Sequence, residues 1–238
     1  MSELNLVIVN DNDDCCEYCC PSWFYPDHIV IGNGDVGKFY DLGIRFRNVV
    51  IPQGEIINQA VLRLKFYYAN EGLSQEFKKE IFGVALDDTE EWSSENKPSD
   101  QPITTAKVTG FDFSFNSQGK TFYGEQNLDI DPVVEVDITN IIQEIINREG
   151  WVSGNNLSLV TRAADPPGDT YNSFYWFDYT DNPEFAASLI IDYGKEVLYL
   201  SPDPSKPTGY HCFMSQFVKN CLRGYIPLKT PDGVNRCW

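Results

Sequence analysis

The chain has 238 residues, and its 18 Lys and Arg against 35 Asp and Glu give a formal charge of −17. This length corresponds to one large domain or to one domain with appendages. A hydrophobic content of 42% excludes wholesale disorder. The acidic balance argues against nucleic acid as a partner, because nucleic-acid binders neutralise phosphates with Lys and Arg. The uncharged apolar runs are only a few residues long, so we expect no membrane span.

We interpret the chain as an N-terminal arm (residues 1–25), a body (26–193) and a C-terminal extension (194–238). The extension has six basic and three acidic residues, a charge of +3, which leaves −20 for residues 1–193. Several prolines predict that the extension is extended over much of its length.

The first ten residues lack the basic start and the long apolar stretch of a secretory signal. We therefore expect that the protein is not exported by the usual route. Asp11, Asp13 and Asp14 follow, and we interpret them as a solvated acidic segment. A calcium site is the alternative, because hard cations bind clustered carboxylates.

Alternating apolar and polar residues predict the strands of the body. Pro52-Gln53-Gly54 indicates a turn, and the glycines of residues 32–37 indicate a hairpin turn. Short strands between Gly, Pro, Asn and Asp favour an all-β fold, an antiparallel β-sandwich or jelly roll. The predicted strands are residues 44–47, 60–68, 134–137, 157–161 and 188–193.

One amphipathic helix interrupts these strands. Isoleucines recur between Ile138 and Ile146 at the i, i+3, i+4, i+7 and i+8 positions of one helical face. Asp137 is placed to cap this helix and Gly150 to end it. A second, short helix is predicted at residues 211–223, and its apolar face must be buried against the body or a partner. That face comprises Phe213, Met214, Phe217, Val218 and Cys221.

All seven cysteines lie near the two ends of the chain: Cys15, Cys16, Cys19, Cys20, Cys212, Cys221 and Cys237. The favoured interpretation is that disulfides pin these ends together or to a neighbouring subunit. Free or packed thiols are the second interpretation. A structural zinc site that uses the Cys-x-x-Cys spacing of Cys16 and Cys19 is the third.

Two aromatic clusters are candidates for a protein interface or a glycan site, because sugars and partner proteins both stack on Tyr and Trp. The candidate residues are Trp23, Tyr25, Tyr171, Tyr175, Trp176 and Tyr179. The alternative, which we favour for most of them, is that they alternate along a strand with one set buried.

We predict that the protein is not an enzyme and needs no cofactor or metal. The sequence contains no Gly-x-Ser-x-Gly, no phosphate-binding loop and no His-Glu-x-x-His motif. The acidic residues between Asp87 and Glu91 are interpreted as a solvated loop rather than as the carboxylate pair of a glycoside hydrolase.

The segment from Gly37 to Leu64 resembles the DNRLRE-type β-sandwich modules. It contains their short Arg-Phe strand, their Pro-x-Gly turn and their Ala-x-Leu-x-Leu strand. Later segments match the same family in order, so that the resemblance covers about residues 30–193. These are Glu91-Trp92-Ser93, Val134–Thr139, Gly150-Trp151, Asn155–Leu159 and Leu189–Tyr193.

The resemblance implies a β-sandwich without a catalytic set, of a kind seen in bacterial surface proteins and in phage virion proteins. Because an export signal is not recognised, we favour a structural virion protein of a tailed phage, assembled in the host cytoplasm. Its role would be capsid decoration (cement) or tail-associated. The expected partners are the chain itself, as a trimer or dimer, and a major capsid or tail protein. The alternative is a carbohydrate-binding adhesin module that recognises surface glycans.

Overall fold

The computed structural model describes residues 2–18, 23–25, 29–33, 39–69, 79–109, 133–163, 172–176, 179 and 182–194, together with four two-residue strands beyond them. The chain divides into two compact units, Ser2–Gly194 and a second unit that contains Lys195–Trp238. We call the first unit the body and the second the extension. Their boundary lies one residue from the one expected at Tyr193.

The described residues of the body form twelve strands, and the pairs between these strands are antiparallel. Its strands are β1 (Ser2–Val7), β2 (Asp14–Tyr18), β3 (Trp23–Tyr25), β4 (Ile29–Asn33), β5 (Phe39–Phe46), β6 (Ile57–Ala69), β7 (Lys79–Val84), β8 (Ile103–Thr109), β9 (Val133–Asp137), β10 (Leu157–Ala163), β11 (Asn172–Trp176) and β12 (Ser188–Tyr193). Short 3-10 helices lie at Asp11–Asp13 and Pro98–Asp100.

The strands form two sheets that share the long strand β6. In the first sheet the order is β1-β12-β6-β9. In the second it is β6-β11-β4-β5-β10-β7-β8, and β2 lies against β5 with β3 beside it. Residues 57–65 of β6 pair within the first sheet, whereas residues 66–69 pair with β11. The predicted antiparallel sandwich is confirmed.

The core between the sheets is apolar and is closed by the predicted helix. Helix α1 (Thr139–Ile146) packs against β6, β7 and β8 and buries the predicted isoleucine face. The carboxylate of Asp137 accepts hydrogen bonds from the backbone N–H and the hydroxyl of Thr139, at 2.9 and 2.6 Å. The helix ends at Ile146, four residues before Gly150. A glycine stands at position 150 because the carboxylate of Asp87 leaves no room there for a side chain. A Cβ added there would lie 2.0 Å from Oδ2 of Asp87.

The turn predicted at Pro52-Gln53-Gly54 is present, and the strands on either side of the predicted hairpin turn are paired. Gly54 has a φ of +70°, which a glycine adopts without strain, and its N–H donates to the Ile146 carbonyl at 3.0 Å. Strands β4 and β5 pair through Gly32–Tyr40 and Asn33–Phe39, and residues 34–38 between them lie outside the described residues.

The structure corrects the prediction of an N-terminal arm, because residues 2–18 belong to the body. Strand β1 pairs with β12 along its whole length, and β2 pairs with β5 from Asp14 to Tyr18. Leu6 and Ile8 are buried in the core between the sheets. The segment alternates too briefly, and is too acidic, for the sequence pattern to mark it as two strands.

The extension contains two short antiparallel pairs among its described residues. Strand β13 (Ser201–Pro202) pairs with β14 (Tyr210–His211), and β15 (Leu228–Lys229) pairs with β16 (Asn235–Arg236). His211 therefore belongs to a strand and not to the helix predicted from that residue. Residues 212–223 of that prediction lie outside the described residues. No helix in the described part of the chain is long and apolar enough to cross a membrane.

Candidate assembly surface

Most of the cysteines and aromatic residues singled out from the sequence lie in parts of the chain about which little is described. Cys19, Cys20, Cys212, Cys221, Cys237 and Tyr171 lie outside the described residues, and for Trp23, Tyr25, Tyr175 and Trp176 only the backbone is described. Strand β11 is the one predicted from the aromatic cluster, and it pairs with β4 and β6. Tyr179 lies in a turn beyond it, half-buried against the core, and its N–H donates to Asp14 at 3.0 Å.

Cys15 is a free thiol that is fully buried, not half of a disulfide. Burial raises the pKa of its thiol well above the ordinary range, and the charges of Asp14 and Glu17 add to this effect. A thiol that stays protonated is a poor nucleophile and a poor metal ligand. Cys16 is buried as well. No group of three His, Cys, Asp or Glu is arranged to hold a metal among the described residues.

The acidic segment that the sequence analysis interpreted as solvated is in fact largely buried. Asp13 and Asp14 are fully buried. Asp13 accepts hydrogen bonds from Arg45 of β5 and from Arg47, which follows the end of β5. Nη1 of Arg45 lies 2.8 Å from Oδ1 of Asp13, and Nε of Arg47 lies 2.6 Å from Oδ2. The hydrogen bond with Asp13 raises the pKa of Arg47. A buried carboxylate needs such partners, because burial of an unpaired charge is very costly.

The residues between β7 and β8 cover the outer face of the second sheet, and we call residues 85–102 the strap. On β10, Leu159 belongs to the core between the sheets, whereas Val160 packs with Trp92 of the strap in a second, smaller cluster. The two neighbours therefore face opposite sides of the sheet. The other buried members of the second cluster are Cys15, Phe82 and Val84.

Buried polar side chains attach the strap to the strands beneath it. The backbone N–H and hydroxyl of Ser99 each donate to the carboxylate of Glu17 at 2.9 Å. Arg162 donates to the carbonyl of Pro98, and its Nη1 lies 3.8 Å from the buried carboxylate of Asp41. Burial lowers the pKa of Arg162, and Asp41 opposes this shift. The strap is therefore a fixed part of the body.

One end of the body exposes apolar side chains on segments that are hydrogen-bonded to one another. Val50, Ile56 and Val152 are 49%, 47% and 62% exposed. The backbone N–H of Val49 donates to the carbonyl of Asn155 at 2.9 Å, which joins the loop that contains Val50 to the loop that contains Val152. The hydroxyl of Tyr193 donates to the carbonyl of Val50 at 3.4 Å. We call Val50, Ile56 and Val152 the apolar end.

The extension begins at the apolar end. Gly194, the last residue of the body, donates its N–H to the carbonyl of Ile56 at 2.8 Å. Two further exposed apolar residues, Leu86 and Ile103, lie on the neighbouring strap and β8. Asp87, next to Leu86, is bound through its carbonyl by Asn155 at 2.9 Å. Single exposed apolar residues are ordinary, and it is their grouping on tied segments that makes this end the candidate for a binding surface.

A shallow cleft of about 460 Å³ opens beside the start of α1. Three of its polar side chains are already engaged within the body: Asn58 donates to Gly194, Asp137 accepts from Thr139, and Lys107 pairs with Glu80 at 2.7 Å. The cleft is therefore a weaker candidate for a binding surface than the apolar end.

No protein-family model matches this chain, and no curated protein is significantly similar to it. The resemblance to DNRLRE-type modules therefore remains an expectation from the sequence.

The pairing of Asp13 with two arginines was missed in the sequence analysis. The alternation of residues 44–47 predicts a strand but says nothing of where its arginines lie, and Arg45 is buried. Two arginines at i and i+2 share one strand face, and a carboxylate run elsewhere in the chain is the natural partner for them. That combination is the signal that could have found the pair.

Proposed function

We propose that the protein is a non-enzymatic structural protein of a tailed-phage virion, a capsid decoration (cement) or tail-associated protein. It stabilises the particle by joining copies through the C-terminal extension. The observation that carries the proposal is the division of the chain at Gly194 into a body and an extension, with exposed apolar side chains around that point.

The way the body is held together suits a displayed structural domain. Its N-terminal residues are integrated as β1 and β2, and the pairing of Asp13 with Arg45 ties them to β5. The strap is attached by further buried polar contacts. Of the two arms expected from the sequence, the N-terminal one is therefore part of the body, and the extension is the segment that we propose joins copies.

Charge supports association through the extension. Residues 1–193 carry −20 and the extension +3, so two bodies repel each other while an extension and a body attract. Each copy that joins buries apolar area worth about 25 cal/mol per Å², from which the cost of ordering the chain is subtracted. Many such contacts on one particle stabilise the shell.

The test compares the full chain with a chain that ends at Gly194, by native mass spectrometry and by sedimentation onto undecorated phage capsids. We expect a dimer or trimer that binds capsids for the full chain, and a folded monomer that does not bind for the shorter one. Circular dichroism establishes that the shorter chain is folded. The proposal is contradicted if the full chain is monomeric and does not bind capsids, or if the shorter chain still binds them. Affinity of the body for oligosaccharides would instead favour the adhesin alternative.

A further inference from the structure

Building on the proposed function, we infer that the apolar end of the body is the surface that binds a second copy of this chain, through the extension of that copy. The proposed function already gives the extension as the segment that joins copies, and what is new here is the surface that the extension binds.

The apolar end is rigid before anything binds to it. Its exposed residues are backed by Val49, Ile51 and Trp151, which are buried. The indole N–H of Trp151 donates to the carbonyl of Ile51 at 2.9 Å. The exposed side chains are valines and an isoleucine, whose branched Cβ leaves few rotamers to lose. Association at such a surface carries a small entropic cost for the body.

Acidic groups lie on the segments next to the apolar end and favour a partner with positive charge. Asp88 and Glu149 are exposed on the neighbouring strap and loop, and Glu55 is half-buried beside Ile56. Arg148 is engaged with Asp87, at 2.7 Å. An apolar centre with an acidic border fits an apolar partner that carries positive charge, and it disfavours a second acidic body.

The extension combines apolar side chains with positive charge. Its sequence contains the apolar residues Phe213, Met214, Phe217 and Val218, with Lys219 and Arg223 close by. Because Ser201 pairs with His211, the reach from Gly194 to Phe213 is set by the seven residues up to Ser201 and the two after His211, and it is at most about 35 Å. A body of this size has a radius of gyration of about 16 Å, so the apolar residues reach a neighbouring copy. Binding between copies, rather than within one, is what joins subunits into an assembly.

The test uses full-length chains and substitutions at exposed positions. Val152→Lys places a charge in the apolar end, and Val50→Lys is a second variant at the same surface. Val9→Lys is the matched control, because Val9 is a loop valine that is 51% exposed and does not belong to the apolar end. Sedimentation at several concentrations gives the dissociation constant of the assembly. We expect it to rise by about tenfold or more for Val152→Lys and Val50→Lys, and less than about twofold for the control.

A mixing experiment tests that the contact is made between copies. Phe217→Lys alters the extension and leaves the apolar end intact, whereas Val152→Lys does the reverse. We expect neither variant to assemble alone at a concentration where the unaltered chain does, and the two together to form a mixed species in native mass spectrometry. Absence of the mixed species contradicts the inference.

The outcomes separate the inference from the proposed function. If the apolar-end variants assemble as tightly as the unaltered chain, the extension binds elsewhere and the inference is wrong, although the proposed function stands. If the unaltered chain is monomeric at every concentration and does not bind capsids, the proposed function itself is wrong. A loss of assembly in the Val9→Lys control as large as in Val152→Lys also contradicts the inference.

Discussion

The two buried layers of the body are stabilised by different interactions. Between the sheets, α1 and the strands bury apolar side chains such as Phe46 and Ile142. Under the strap, the smaller cluster around Trp92 adjoins buried carboxylates and arginines, among them Asp13 and Arg45. The first layer depends on volume and apolar area, for which several side chains serve equally well. The second depends on particular partners, because a buried charge without its partner is destabilising.

The largest effect is expected in the apolar layer. Phe46 is fully buried in the core between the sheets, and Phe46→Ala removes its apolar area and leaves a cavity. We expect the free energy of unfolding to fall by about 3–5 kcal/mol, measured by urea unfolding. Val9→Ala, at an exposed position, is expected to change it by less than about 0.5 kcal/mol. A loss below about 1 kcal/mol for Phe46→Ala would show that this layer is not the main core.

The next effect tests the pairing under the strap. Asp13→Leu leaves Arg45 buried without its carboxylate, and we expect a loss of about 3 kcal/mol in the free energy of unfolding. Arg47 is partly exposed and turns to solvent, so it adds little to the loss. The double variant Asp13→Leu, Arg45→Met removes both charges and is expected to be more stable than Asp13→Leu alone. Strictly additive losses would contradict the coupling of the two residues.

This difference between the layers explains what could be predicted from the sequence. Alternation found β12 at its observed bounds and most of β6, β9 and β10, and the isoleucine spacing found α1, because burial of apolar faces has a fixed period. Pairing between distant charges has no period. Asp13 and Arg45 are 32 residues apart, so the acidic segment was expected to be solvated and β2 was missed.

Strand β8 was missed for a second physical reason, because it inverts the usual pattern. Ile103 is exposed and Thr104 is buried. The hydroxyl of Thr104 accepts from the N–H of Gly83 at 2.9 Å and donates to the carbonyl of Ala106 at 2.7 Å. A threonine satisfied in this way is tolerated in the interior, but no hydrophobicity pattern indicates it. The apolar end was missed similarly, since exposure of a valine depends on loop packing.

Substitution of one glycine in each layer compares how tightly the two layers are packed. A Cβ at Gly43 would lie 2.8 Å from the Trp92 ring and 2.9 Å from Pro98, both of which are rigid. A Cβ at Gly83 would lie 2.7 Å from Cδ1 of Ile145, the end of a flexible side chain, and 2.8 Å from Cγ2 of Ile141. We expect Gly43→Ala to lower the free energy of unfolding by about 1–3 kcal/mol and Gly83→Ala to lower it less. The opposite order in urea unfolding would mean that the strap adapts more easily than the core.

The smallest effect is a dependence of stability on pH that comes from Cys15. Burial raises the pKa of its thiol in the folded protein, whereas the unfolded thiol titrates at about 8.5. Below this value both states hold the proton and stability is unaffected. As the pH rises further, the unfolded state alone releases its proton, so the free energy of unfolding falls, by at most about 1.4 kcal/mol per pH unit.

The measurement is urea unfolding between pH 6 and 10 under reducing conditions, for the unaltered chain and for Cys15→Ala. We expect the unaltered chain to lose stability more steeply, and the two slopes to agree below about pH 8. The comparison uses slopes because Cys15→Ala also removes packing next to Trp92, which shifts the curve without changing its pH dependence. Equal slopes over the whole range would mean that water reaches Cys15, and that the strap seals the polar layer less completely than the sheets seal the apolar one.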